Sequence, residues 1–357
     1  CMQFLKLILL PFSYAYGSIV WLRNKLFDWK IFKSTQFSVP VIAVGNITVG
    51  GTGKSPHIQY LIALLKDKYR VATVSRGYKR KTKGFLLLDS ETTSQNSGDE
   101  PKQFKFNFPD VMVSVGEKRV NAINKLLALP NPPESILLDD AYQHRWVKAG
   151  LNILLIDYSH FQEKDYMLPS GTLREFASGQ ARADIIIMSK APKGLSPMEK
   201  RRFVEVVSPL PHQKMFFSYI EYSTLVPLTP AAEALQQNNI EAKLLDYKIL
   251  MFTGIANAEP LKNYLYNSAR EVVELKFPDH HDFTETDKNN IVSAFNDMLS
   301  SKKIMLTTEK DAMRIKDSTS FSFPEHIPLF YIPIKIKFHD EKQSFDETII
   351  QYLTKSK

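Results

Sequence analysis

Cysteine is almost missing from this chain: there is one, Cys1, in 357 residues. A single thiol allows no intrachain disulfide and no cysteine-based metal cage, and such usage suits a reducing, cytosolic compartment. A membrane-spanning run is missing too. From Leu7 to Leu22 no residue is charged, but Pro11 and Gly17 interrupt the run, and it stops short of the ~20 residues a crossing helix needs. No A-x-A-like cleavage site follows; Arg23, Lys25 and Trp29 come instead, which argues against a signal peptide. What remains is a partly helical segment lying in a membrane interface, or a helix packed on the core. Acidic residues are in deficit, 38 against 46 Lys and Arg, so the formal net charge is +8 and the pI about 9.2. That balance favours anionic partners, whether nucleic acid, acidic lipid or phosphorylated substrate, without choosing among them.

The rest of the composition, 44% hydrophobic and 24% charged, is that of a folded globular protein. Domains average ~100–200 residues, so this length predicts two. No internal repeat is apparent. Apolar runs without polar alternation, VPVIAVG, RVATVS, VMVSVG, SILLDDA, LNILLID and ADIIIMS, alternate with helical patterns from Lys54 to about Lys68 and after Gly116. This predicts an α/β fold with a doubly wound parallel sheet whose strands are buried on both faces. A second, smaller α/β segment carries KILMFTGI, EVVELKF, KIMLTT and LFYIPIKIKF, with a helix from Asn257 and another capped by Thr284 and Asp287. The expected division is a membrane-interface segment at 1–35, a P-loop NTPase-like domain at 36–223 and a carboxyl-terminal domain at 224–357, the last boundary set near TLVPLTPAAEAL.

The chemistry starts from another missing residue. VGNITVGGTGKSP ends like a phosphate loop, but where G-x-x-x-x-G-K-[ST] opens with glycine the chain has Thr48. The context nevertheless fits, since an apolar strand precedes the loop and a helix follows. Asn46, Thr48, Val49, Gly50, Gly51, Thr52, Gly53, Lys54 and Ser55 are therefore candidate ATP-binding residues. The backbone amides would cradle phosphates, Lys54 would neutralise transferring charge, and Ser55 would offer its hydroxyl to Mg2+. SILLDDAYQH supplies the expected acidic partner, with Asp139 and Asp140 at a strand's carboxyl end. A GTPase switch competes, but the place of an [NT]-K-x-D guanine reader holds MSKAPKG, with no aspartate.

Taken in order, VGNITVGGTGKSP, SRGYKR, SGDEP, VGEKRV, ILLDDAYQHR, LPSGTLRE, FTGIANAEP, FPDHHDFT and LTTEKDAMR closely resemble the tetraacyldisaccharide 4′-kinase family of lipid A biosynthesis, over nearly the whole chain. The resemblance implies ATP- and Mg2+-dependent phosphorylation of the 4′-hydroxyl of an acylated glucosamine disaccharide phosphate, yielding lipid IVA. It further implies a peripheral enzyme at the cytoplasmic face of the bacterial inner membrane, with no nucleic-acid partner and no obligate protein partner. Asp99 of SGDEP resembles the family's catalytic base, and His280 of FPDHHDFT its partner, with His281 an open alternative. On the expected boundaries that pair spans two domains, and domain closure would bring it together. Glu100 resembles a metal-site or ATP-site carboxylate beside Asp139 and Asp140. Tyr78, Arg119, His144, Arg174 and Glu175 resemble lipid-contacting positions. Ala141 stands where many relatives have glycine, which matters if that position needs φ > 0.

Overall fold

The computed structural model describes residues 2–159, 165–318 and 321–355; Cys1, on which the redox reading rests, lies outside them. The chain divides into two compact units. The first comprises Cys1–Glu91, Phe104–Ile220 and Ile336–Lys357, the second Thr92–Gln103 and Glu221–Lys335. The boundary near residue 221 lies three residues before the expected one. Two segments cross the expected division, however: Thr92–Gln103 belongs to the second unit and the carboxyl terminus to the first.

Among the described residues the first unit holds a nine-stranded sheet. Its order is Ile334–Phe338, Lys214–Tyr222, Ile185–Ser189, Leu151–Asp157, Val41–Gly45, Ser135–Asp139, Val71–Ser75, Met112–Val115 and Leu86–Leu87. The seven strands from Lys214–Tyr222 to Met112–Val115 pair in parallel, and Leu86–Leu87 runs antiparallel at the edge. VIAVG, VATVS, SILLD and IIIMS are buried at every residue, as strands covered on both faces must be. Alternation along Val41–Gly45 sends Ile42 and Val44 into one core, with Ile58, Leu61, Phe216 and Phe345, and Val41 and Ala43 into the other, with Ala72, Val74, Ile123 and Leu126. The chain's first long strand thus sits mid-sheet, with Ser135–Asp139 and Leu151–Asp157 on either side. Ligands of open α/β sheets bind at the carboxyl ends of such central strands.

The amino-terminal helix runs unbroken from Met2 to Asp28, through Pro11 and Gly17. One face packs on the first unit. Ser13 Oγ donates to Ser170 Oγ at 2.8 Å, Val20 and Phe27 are buried, and a Cβ on Gly17 would stand 2.9 Å from the Phe176 ring. The other face exposes Phe12, Tyr14, Ile19, Trp21 and Leu22. Among the described residues no helix is long and apolar enough to cross a membrane.

The second unit carries a sheet ordered Glu271–Lys276, Lys248–Thr253, Lys303–Thr308, Leu329–Ile332 and Val226–Pro227, parallel except for the last pair. Thr284 caps the helix Glu285–Asp297, its side chain and that of Asp287 exchanging hydrogen bonds with each other's backbone as the sequence predicts. Thr92–Gln103 is fastened into this unit by polar contacts: the Ser94 amide to Asp317 (2.6 Å), Gln103 Nε2 to Glu309 (2.5 Å) and Lys102 to Asp317 (3.5 Å).

Candidate active site

The phosphate loop leaves the central strand at Gly45 and ends on Gly53, whose φ of 85° places it in the left-handed region just before the helix Lys54–Leu65. Gly50 is also left-handed, at φ 110°, and a Cβ on Gly50 or Gly51 would meet nothing within 4 Å, so the loop lines open space. Thr48 is the residue the pattern lacks. It forms an antiparallel bridge with Leu173, flanked by Val49 N to Thr172 O (2.7 Å) and Arg174 N to Ile47 O (2.8 Å). A bridged residue is extended, a conformation any side chain adopts, so no glycine is needed there. The loop is braced below by Ser189 Oγ, which donates to Thr52 O at 2.8 Å, and by His57, whose ring reaches Gly53 O (2.7 Å) and Ser218 Oγ (3.0 Å). Burial pushes the His57 imidazole down to about 4. Thr52 Oγ1 is buried with no hydrogen-bond partner among the described residues, a donor in the loop left for a ligand oxygen.

Lys54 Nζ lies 3.2 Å from Asn46 Oδ1 and 3.5 Å from Asp140. Arg174 Nη1 reaches both Asp140 oxygens, at 2.9 and 3.1 Å. Burial works against the Asp140 charge, but Lys54 and Arg174 outweigh it and hold the carboxyl below its usual range. Asp140 adopts φ 46°, so the left-handed position in DDA is the second aspartate; Ala141 is not at positive φ, and its methyl brings no backbone strain. Asp139, buried at the end of its strand, accepts from Ser75 Oγ at 3.2 Å. Ser55 is buried at the start of the loop helix. A hydroxyl and a strand-end carboxylate are the hard oxygen donors that suit Mg2+, which takes one or two carboxylates and completes its shell with phosphate and water. Among the described residues no three acidic, histidine or cysteine side chains gather into an all-protein metal cage.

Glu175 is fully buried and receives Arg182 (2.8 and 2.9 Å), Gln143 Nε2 (2.9 Å) and Asn24 of the amino-terminal helix (3.1 Å). Gln143 also donates to Asn46 O in the loop at 2.7 Å. Arg119 is not the helix-surface arginine its place after Glu117 would give by itself. It opens the helix Arg119–Leu127, is 3% exposed, and donates to Gly116 O at 3.1 Å while its Nε has no partner among the described residues. Burial pushes its guanidinium down to about 10, against the pull of Asp139 and Asp140. His144 Nε2 is likewise buried and unpartnered; burial, reinforced by Arg119, Arg23 and Arg76, pushes its imidazole down to about 4. Tyr78 is exposed at 62%.

The remaining expected residues belong to the second unit. Asp99 opens the helix Asp99–Asn107 after Gly98, where a negative charge is favoured. His280 Nδ1 lies 2.7 Å from Asp99 Oδ2. His280 is held at φ 61°, with its amide donating to Gly254 O at 3.0 Å, a costly conformation for a non-glycine residue. Asp99 and His280 therefore share one compact unit, not two as expected, and their contact needs no closure. His281 points elsewhere, its Nε2 lying 2.9 Å from Asp287 in the capping box and its ring stacked on Phe277. Burial disfavours the Asp99 charge, yet hydrogen bonds from His280 and Arg314 outweigh it and hold the carboxyl far below its usual range. Glu100 pairs with Lys310 at 2.7 Å.

Three partners were missed in the sequence. Gln143 lies inside the quoted DDAYQHR, and Arg314 follows Asp311 by one helical turn, a spacing at which side chains meet. His57 carries no such signal.

A family profile described as Tetraacyldisaccharide-1-P 4'-kinase matches residues 5–354. A Tetraacyldisaccharide 4'-kinase of Flavobacterium johnsoniae is 46% identical over 353 residues, covering 99% of this chain and 98% of the relative. One from Parabacteroides distasonis is 42% identical over 349 residues, covering 97% and 94%. Among solved structures, the "apo" form of LpxK from Aquifex aeolicus in complex with ATP aligns with a TM-score of 0.72 at 30% identity, covering 98% of this chain and 99% of that one.

Proposed function

The chain belongs to the tetraacyldisaccharide-1-P 4'-kinase family, and on that premise we propose that it transfers the γ-phosphoryl group of ATP to the 4′-hydroxyl of a tetraacyl glucosamine disaccharide 1-phosphate, making lipid IVA for lipid A. The observation that carries this reading is a phosphate loop with Lys54 as the first residue of its helix, set in a chain matched to the family over residues 5–354.

The loop from Asn46 to Ser55 binds the ATP phosphates through its amides, and Lys54 neutralises charge that develops on the transferring group. The acceptor oxygen bonds to the γ-phosphorus as the bond to the bridging oxygen breaks, ADP leaves with that electron pair, and the hydroxyl proton passes to Asp99. A carboxylate held so acidic is a weak base. In a loose transition state the hydroxyl gives up its proton late, so orienting it matters more than basicity. His280 holds Asp99 for that task. Ser55 and Asp139 would hold Mg2+, which would supply charge neutralisation to the ATP phosphates, whereas Asp140 and Glu100 are already paired with cations. Tyr78, Arg119, His144 and Arg174 contact the anionic acceptor, and Glu175 acts through Gln143 and Arg182. The exposed aromatic and aliphatic face of the amino-terminal helix supports a peripheral seat on the cytoplasmic side of the inner membrane.

Purified protein given ATP, Mg2+ and the disaccharide lipid in detergent tests the reading. ADP is expected only when lipid is present, with one phosphate gained by the lipid. Hydrolysis independent of lipid and without phosphorylated product would point instead to a nucleotide switch.

A further inference from the structure

Asp99 has a second partner that the dyad with His280 leaves out. Arg314, on the helix Glu309–Asp317, has a side chain only 4% exposed. Its Nη1 donates to Asp311 Oδ1 at 2.7 Å and to Gly254 O at 3.0 Å, which fixes the guanidinium plane. Asp311 is itself fully buried and anchored, accepting from the Gly254 amide at 3.0 Å and Thr308 Oγ1 at 2.7 Å. The other edge of the fork, Nη2 at 2.5 Å and Nε at 3.2 Å, converges on Asp99 Oδ2. That is the same oxygen His280 Nδ1 approaches, and Nη2 stands 3.3 Å from that nitrogen.

We propose that Arg314 is a positioning residue for phosphoryl transfer: anchored by Asp311 and Gly254, it clamps one oxygen of Asp99 beside His280 and leaves the other for the acceptor hydroxyl. The geometry dictates this division. Among the described residues no hydrogen bond reaches Asp99 Oδ1, whereas three donor groups crowd Oδ2. An ionised carboxylate only accepts, so the His280 nitrogen 2.7 Å from Asp99 Oδ2 carries its proton and donates it there. Arg314 thereby holds the carboxylate rotamer to which His280 donates. Gly254 ties the two sides together, since its carbonyl accepts from both Arg314 and the His280 amide. Lysine supplies the charge and a donor for Asp99 but lacks the planar fork that holds Asp99 and Asp311 together, so it should substitute only in part.

This inference rests on the kinase reading, and the wild-type enzyme in the same assay separates the two: if wild type forms no phosphorylated lipid, the reading itself fails. With wild type active, Arg314→Ala is expected to lower kcat at least 30-fold with KM for ATP and for lipid within threefold, and Arg314→Lys to recover at least fivefold of that loss. A kcat within threefold of wild type overturns the inference, as does a loss carried by either KM or one that Arg314→Lys does not relieve. Arg314→Ala strands the buried Asp311 charge. Should it not fold, Arg314→Gln combined with Asp311→Asn removes both charges, and the same kcat criterion is applied to the double variant.

Discussion

Two adjacent histidines separate because the backbone turns left-handed at the first, sending His280 to Asp99 and His281 to the cap of the next helix. His280→Ala is therefore expected to lower kcat at least tenfold with little change in melting temperature. His281→Ala should leave kcat within threefold but cost about 1 kcal/mol, as loss of a capping interaction does. Equal kcat losses in steady-state assays would reject the distinction. His57 gives a pH prediction. Its folded value, about 4, lies below the ordinary 6.5, so between those values the unfolded chain binds the extra proton. Its share of stability is full above pH 6.5 and is lost as pH falls through the window towards 4, by about 3 kcal/mol in all. His57→Gln should flatten the urea-midpoint dependence between pH 4.5 and 6.5; an unchanged slope would show that His57 keeps its ordinary value. At this scale the sequence showed residue types and order, which is why Lys54 and Asp139 could be singled out from their motifs and Asp99 from the family resemblance. It could not show that Asp140 and His280, rather than Ala141, hold positive φ, because those angles belong to loops that only the folded chain fixes.

Elements were legible where a period or a run was strong. The strands VIAVG, VATVS, SILLD and IIIMS and the capped helix after Thr284 fall where the pattern puts them. LFYIPIKIKF reads as one strand, but Pro333 divides it into Leu329–Ile332, in the second unit's sheet, and Ile334–Phe338, in the first's. Both halves have strand composition, and only their tertiary pairing tells them apart. The amino-terminal helix packs one face on the first unit, as the core-helix reading has it, and leaves the other exposed. Its exposed face yields a prediction, since Phe12, Ile19 and Leu22 are 64%, 69% and 48% exposed and can be changed without opening the core. Replacing all three by Ser is expected to weaken sedimentation with anionic vesicles at least tenfold at unchanged melting temperature, each side chain contributing up to ~1.5–3 kcal/mol when buried in lipid. Equal pelleting would remove this face as the anchor.

For the whole molecule, the question is whether the sequence boundary at 223/224 marks a part that folds. The carboxyl-terminal helix Lys342–Lys355 argues that it does not, because Phe345, Ile349 and Leu353 are buried in the first unit's core beside Ile58 and Phe216. Tyr352 reaches back to the strand bearing the phosphate loop, its hydroxyl 3.2 Å from both Val41 N and Val41 O. At ~1.5–3 kcal/mol for each fully buried side chain, removing the three apolar ones alone forfeits about 5–9 kcal/mol. That is comparable with the ~5–15 kcal/mol by which whole domains are stable. Residues 1–223 alone are therefore expected to show no cooperative thermal transition and no ATP-dependent rise in melting temperature. Joining 1–220 to 336–357 through a short Gly/Ser linker restores the missing helix and Ile336–Phe338 of the edge strand, whose following residue His339 already donates to Phe217 O at 3.1 Å. That joined chain should melt cooperatively and respond to ATP. A cooperative, ATP-responsive melt of 1–223 by itself would show that the contiguous boundary, and not the returning carboxyl terminus, defines the folding unit.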